Sequence, residues 1–98
     1  MFSLGEHFLK MELRFTRSAA RALIRLDRGQ PDKARTIREQ IGRVAANPTA
    51  PNNNVKPLKG IERAYRLRVG DWRVSYTLDP EADILQVFEV APRGAAYR

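Results

Sequence analysis

The most constraining stretch of this chain runs from Tyr65 to Leu78, where apolar residues recur every second position. Tyr65, Leu67 and Val69 alternate with Arg66 and Arg68. After Gly70-Asp71, Trp72, Val74, Tyr76 and Leu78 alternate with Arg73, Ser75 and Thr77. Such alternation marks half-buried strands, and a two-residue glycine-containing break between them marks a β-hairpin. With Gly70 and Asp71 as the loop, Val69 falls opposite Trp72 and Arg68 opposite Arg73. Side chains alternate faces along a strand, so Arg66, Arg68 and Arg73 share one face and the apolar residues the other. The fold must therefore cover one sheet face and accommodate three neighbouring arginines on the other.

The cover lies upstream. Thr16 or Ser18 is placed to cap a helix in which Ala19, Ala22, Leu23 and Leu26 follow helical spacing, with Arg17, Arg21, Arg25 and Arg28 opposite. Gly29-Gln30-Pro31 ends that helix, and Asp32 is the expected cap of the next. There Ala34, Ile37, Ile41 and Val44 form an apolar stripe that stops near Asn47-Pro48. Glu12-Leu13-Arg14-Phe15 alternates as a strand does. Asn47 to Pro57, with its prolines and three consecutive asparagines, reads as a loop. Asp79-Pro80-Glu81-Ala82 is a turn, and Ile84 to Ala91 a last strand rich in apolar residues. The expected class is α+β: an N-terminal strand, a helical hairpin, then a three-stranded antiparallel meander completing one sheet. Tyr65, Trp72, Tyr76 and Phe88 are expected in the core. At 98 residues this is a single domain, residues 11–98. Residues 1–10 are expected to be an N-terminal extension, since Met11 opens a better strand pattern than Met1 does.

Composition removes several functions. There is no cysteine and one histidine, His7, so neither a disulfide scaffold nor a thiolate or multi-histidine metal centre is expected. No cofactor motif occurs. No apolar run approaches the ~20 residues of a membrane span, and MFSLGEHFLK lacks the basic start of a signal peptide. The expected location is the cytoplasm, away from membranes. The net charge is +7, and 14 of the 18 basic residues are arginine, whose planar fork suits phosphate. Basic residues concentrate in 14–43 and 56–73, whereas 79–89 holds acids only. Like charges opposite each other in a sheet repel. Arg68 and Arg73 therefore require either a nearby carboxylate, for which Glu89 is placed, or an anionic ligand.

The segment Leu58-Lys59-Gly60, followed by the run from Tyr65 through Gly70-Asp71 to Tyr76, resembles the signature of the RelE/ParE toxin superfamily. The ending Val90-Ala91-Pro92-Arg93-Gly94-Ala95-Ala96-Tyr97-Arg98 is similar to that family's closing strand and arginine-to-tyrosine tail. The resemblance spans residues 11–98. It implies the toxin of a type II toxin–antitoxin pair. In the RelE branch that is a ribosome-dependent endonuclease, cutting mRNA in the A site with the RNA 2′-hydroxyl as nucleophile and leaving a cyclic phosphate. The alternative is a ParE-like toxin that inhibits DNA gyrase without cleaving nucleic acid. A relative without activity is a third reading. The implied partners are the ribosome, mRNA and a cognate antitoxin with an acidic, amphipathic segment, in a heteromeric complex.

Carried over by position, the resemblance implies catalytic roles for Arg66, Arg68, Arg73, Arg93 and Tyr97, with Arg73 at the family's catalytic arginine. Lys56, Lys59 and Arg63 are expected to contact RNA, as are Arg17, Arg21 and Arg25, although that helical stripe equally fits a solvated face. Two departures stand out. Pro92 occupies the place where several relatives carry histidine, and Lys56 stands near that of a glutamate base. Arginine stays protonated, so Arg73 and Arg93 suit stabilisation of phosphoryl charge rather than proton transfer. Tyr97 is a candidate base or stacking platform, and Lys56 or Lys59 an alternative acid or base. Such a catalyst needs another body to orient its substrate.

Overall fold

The computed structural model describes residues 10–94. The expected extension, apart from Lys10, and the expected tyrosine role at Tyr97 lie outside them. Strand β1 (Glu12–Phe15) leads into helices α1 (Arg17–Gly29) and α2 (Pro31–Ala46). Strands β2 (Val55–Pro57), β3 (Ala64–Val69), β4 (Trp72–Asp79) and β5 (Ile84–Pro92) follow. They form one five-stranded mixed sheet in the order β1-β5-β4-β3-β2. The α+β expectation holds, with two additions. β1 runs parallel to β5, and the expected loop 47–57 ends in a short strand, β2, antiparallel to β3. Pro57 is tolerated because β2 is an edge strand, where a missing N–H breaks no second ladder.

Local chemistry sets the helix ends. Thr16 caps α1, its hydroxyl accepting from the Ala19 backbone N–H at 3.2 Å. Asp32 does not cap α2: the helix starts earlier, at Pro31, whose fixed φ suits a first position. Asp32 instead sits in the first turn, where a carboxylate complements the helix dipole. Between the helices Arg38 holds both carboxylate oxygens of Asp27, one at 2.8 Å. Those hydrogen bonds keep the Asp27 carboxyl below its ordinary pKa.

The helical hairpin covers one sheet face. Leu23, Leu26, Ile37 and Ile41 meet Leu67, Val69, Val74, Tyr76, Leu85 and Val87 in a single core cluster. Tyr65 stacks on Tyr76 with ring centroids 5.8 Å apart, and burial raises the Tyr76 hydroxyl to about 12. Trp72 is partly buried against the cluster. Phe88 departs from expectation. The β4–β5 register places Ser75 opposite Glu89 and Tyr76 opposite Val87, leaving Phe88 as the extra residue of a bulge. It is half-buried and takes no part in the core cluster.

Ile37 is fully buried, so Ile37→Ala should cost about 2–5 kcal/mol, against about 1 kcal/mol for Thr16→Ala, in urea denaturation. Because the folded pKa of Asp27 is depressed, its contribution exists above the unfolded value of about 4 and fades as pH falls below it. Denaturation midpoints should drop on acidification through that range, less steeply in Asp27→Asn and less at high salt, since the pair is exposed.

Candidate nucleic-acid interface

The sheet face away from the helices carries the arginines. Arg68 pairs with Arg73 across β3 and β4, and Val69 with Trp72, as the two-residue turn predicts. Gly70 takes φ +60°, a left-handed conformation that glycine adopts without the strain most side chains would add. Cross-strand pairing aligns Lys56, Arg66, Ser75 and Glu89 in one row. The next row sets Arg68, Arg73 and Ala91 side by side, and the Arg68 N–H donates to the Asn54 carbonyl at 2.8 Å.

Glu89 settles part of the repulsion. Arg73 Nη2 donates to Glu89 Oε2 at 2.9 Å, and Ser75 Oγ donates to Oε1 at 2.9 Å. Arg73 is 9% exposed, which makes it a buried charge held by one carboxylate. Its Nε, and that of Arg66, are buried with no hydrogen-bond partner among the described residues. A buried guanidinium N–H without a partner carries a desolvation cost that an anion can relieve.

Arg66, Arg68, Arg73, Arg93 and Lys56 line one cleft of about 420 Å³. Arg93 reaches it because its N–H donates to the Asp71 carbonyl at 2.6 Å, tying the segment after β5 to the hairpin turn. Asn53, Asn54 and Trp72 also line the cleft, and sequence reasoning did not place them there. The signal that existed was the asparagine run directly before an edge strand. Lys59 and Arg63 are not brought into the cleft. They are exposed in the β2–β3 turn, where Arg63 takes φ 57°. Arg17, Arg21 and Arg25 are exposed on α1 and do not line the cleft, although Arg25 borders a neighbouring hollow with Trp72 and Pro92. Among the described residues no three His, Cys, Asp or Glu side chains converge as a metal site would require, and no helix is long and apolar enough to cross a membrane.

A cleft of this kind presents fixed positive charge with one carboxylate at its flank, and the Nε atoms of two of its arginines are buried without a partner. It suits a phosphodiester. Glu89→Ala should leave Arg73 buried without its counter-charge and destabilise the fold by about 1–3 kcal/mol. Sulfate should raise the urea midpoint of that variant more than that of the parent chain; equal gains would mean the anion does not replace the carboxylate.

Comparison with known proteins fits this geometry. The model of the family described as the ParE toxin of type II toxin–antitoxin system, parDE, matches residues 13–97. No curated protein matches the chain. Among solved structures, the toxin–antitoxin complex RelBE2 from Mycobacterium tuberculosis shares 26% identity, covering 86% of this chain and 99% of that one, with a TM-score of 0.68. The archaeal RelE–RelB complex from Pyrococcus horikoshii shares 23%, covering 87% and 97%, at a TM-score of 0.71. The YoeB/ParE toxin from Agrobacterium tumefaciens shares 21%, covering 84% and 98%, at 0.73.

Proposed function

The chain belongs to the ParE toxin family of type II toxin–antitoxin systems, and on that footing we propose that it is an endoribonuclease of the RelE kind. It cuts mRNA in the ribosomal A site. The observation that carries this reading is the convergence of Arg66, Arg68, Arg73, Arg93 and Lys56 on one cleft, with the Nε of Arg66 and Arg73 unpartnered.

The message 2′-hydroxyl gives up its proton, to Tyr97 as candidate base or to water, and its oxygen bonds to the adjacent phosphorus while the bond to the 5′-oxygen breaks, leaving a 2′,3′-cyclic phosphate. Arg73 performs the central task. Glu89 engages only its Nη2 and so orients the fork. The remaining Nη N–H groups meet the non-bridging oxygens as charge builds, a contact that strengthens in the transition state. Arg68 and Arg93, both exposed, hold the flanking backbone. Lys56, in register with Arg66, is the candidate proton donor to the leaving oxygen. With no histidine–glutamate pair, substrate orientation falls to the ribosome. The partner that silences the toxin is an antitoxin, as in the RelE–RelB and RelBE2 complexes. Its acidic, amphipathic segment complements a +7 chain.

Induced cells should stop translating, with cuts mapping inside coding regions under ribosomes. Halted replication with intact messages would instead mark a gyrase inhibitor. Arg73→Ala should lower cleavage by roughly 10²–10³, and Arg73→Lys should restore only part, lacking the planar fork. A folded Arg73→Ala protein that is still fully toxic would place the chemistry elsewhere.

A further inference from the structure

Phosphate chemistry accounts for the cations of the cleft but not for its indole or its amides. Trp72 opens β4, paired with Val69 on one side and Pro92 on the other. It packs against the core cluster, borders a second hollow with Ala22 and Leu26 of α1, and lines the arginine cleft. Trp72 thus joins the core packing to the lining of the cleft, beside Arg68, Arg73 and Arg93.

The amides enter from the segment before β2. The Asn54 N–H donates to Asn52 Oδ1 at 2.9 Å, and its carbonyl accepts from the Arg68 N–H at 2.8 Å. Both backbone polar groups are thus fixed, while the Asn54 side chain stays exposed on the cleft rim beside Asn53. A carboxamide offers one donor face and one acceptor side by side, the pattern that pairs with the N6 and N7 atoms of adenine. Single-stranded RNA leaves such edges free, and aromatic rings hold its bases by stacking.

We propose that this cleft binds a nucleobase together with its phosphate, with Trp72 as the stacking surface and Asn54 as the residue that selects adenine. The arginines then supply affinity that is blind to sequence, and the indole and amide supply preference. The proposal takes its biological setting from the RNA-cleaving reading, but the binding itself belongs to the free chain.

Trp72 is the chain's only tryptophan, so its emission reports the stack directly. The intact chain is titrated at low salt with short oligoadenylate, oligouridylate and inorganic polyphosphate. Oligoadenylate should quench Trp72 and bind roughly five- to hundredfold tighter than oligouridylate. Polyphosphate should bind without quenching. Asn54→Ala, an exposed loop change, should equalise the two RNAs and leave polyphosphate binding unchanged. Trp72→Ala should weaken RNA binding roughly ten- to hundredfold, and Trp72→Phe, which keeps a ring in the core, should weaken it less.

The proposal is overturned if RNA binds without quenching, if no RNA binds, or if Asn54→Ala keeps the preference. Quenching and preference in a protein that cuts no message in cells would remove the nuclease reading and leave the base pocket standing. Cutting by a protein whose tryptophan ignores RNA would do the reverse.

Discussion

The structure depends on one extra residue in β5. Leu85 and Val87 point into the core, and strict alternation would send Glu89 after them and turn Val90 outward. Inserting Phe88 as a bulge resets the phase. Val90 returns to the core at 7% exposure, and Glu89 emerges on the opposite face, in register with Ser75. One irregularity therefore closes the apolar layer and delivers a carboxylate to the arginines. Without it, an acid would be buried among aliphatic side chains, and Arg73 would sit nine-tenths buried with no counter-charge, an arrangement costing several kcal/mol.

That carboxylate does less than neutralise the face. Glu89 binds a single nitrogen of Arg73 and the hydroxyl of Ser75, while Arg66, Arg68, Arg93 and Lys56 gather nearby without it. The net excess stays positive. The site is thus held in shape by an internal ion pair and still unsatisfied as a binding surface. A preorganised cleft of this kind pays little reorganisation when a phosphate arrives.

Much of this was legible in residue order. The Gly70-Asp71 turn leaves one register for a two-residue loop, so the Arg68–Arg73 pairing and the shared arginine face follow from alternation alone. The stripes through Leu23 and Ile37 identify the helical hairpin by the same logic of period. What was not legible depends on contacts distant in sequence. β2 is three residues long and contains a proline, and only the exposed edge of β3 makes it a strand. The parallel pairing of β1 with β5 is set by packing of elements some seventy residues apart. The bulge at Phe88 shows locally only as a break in alternation, the adjacent Val87-Phe88 and the shift of apolar positions to Val90, which does not say which residue is the extra one. Trp72 was read as core because its alternation is apolar. Its place at the hairpin tip, where the sheet ends, lets the same residue also line the cleft. The asparagines before β2 read as loop chemistry, and their approach to Arg68 exists only once β2 has paired.

Charge is also arranged along the sheet. β4 begins at Trp72 beside the arginine cleft and ends at Asp79, seven residues on. At the far end Asp79, Glu81 and Asp83 gather in the β4–β5 turn, where Asp79 Oδ1 accepts from the Glu81 and Ala82 N–H groups at 3.2 Å. At about 3.4 Å per residue the two ends are roughly 24 Å apart, more than twice the screening length of about 10 Å at 0.1 M salt. Each end therefore acts almost independently on a nearby polyanion, the basic end attracted and the acidic end repelled. The arginine stripe of α1 lies in the helical layer and is not among the residues that line the cleft. Any polyanion that approaches this chain is therefore drawn to the cleft end and turned away from the acidic turn.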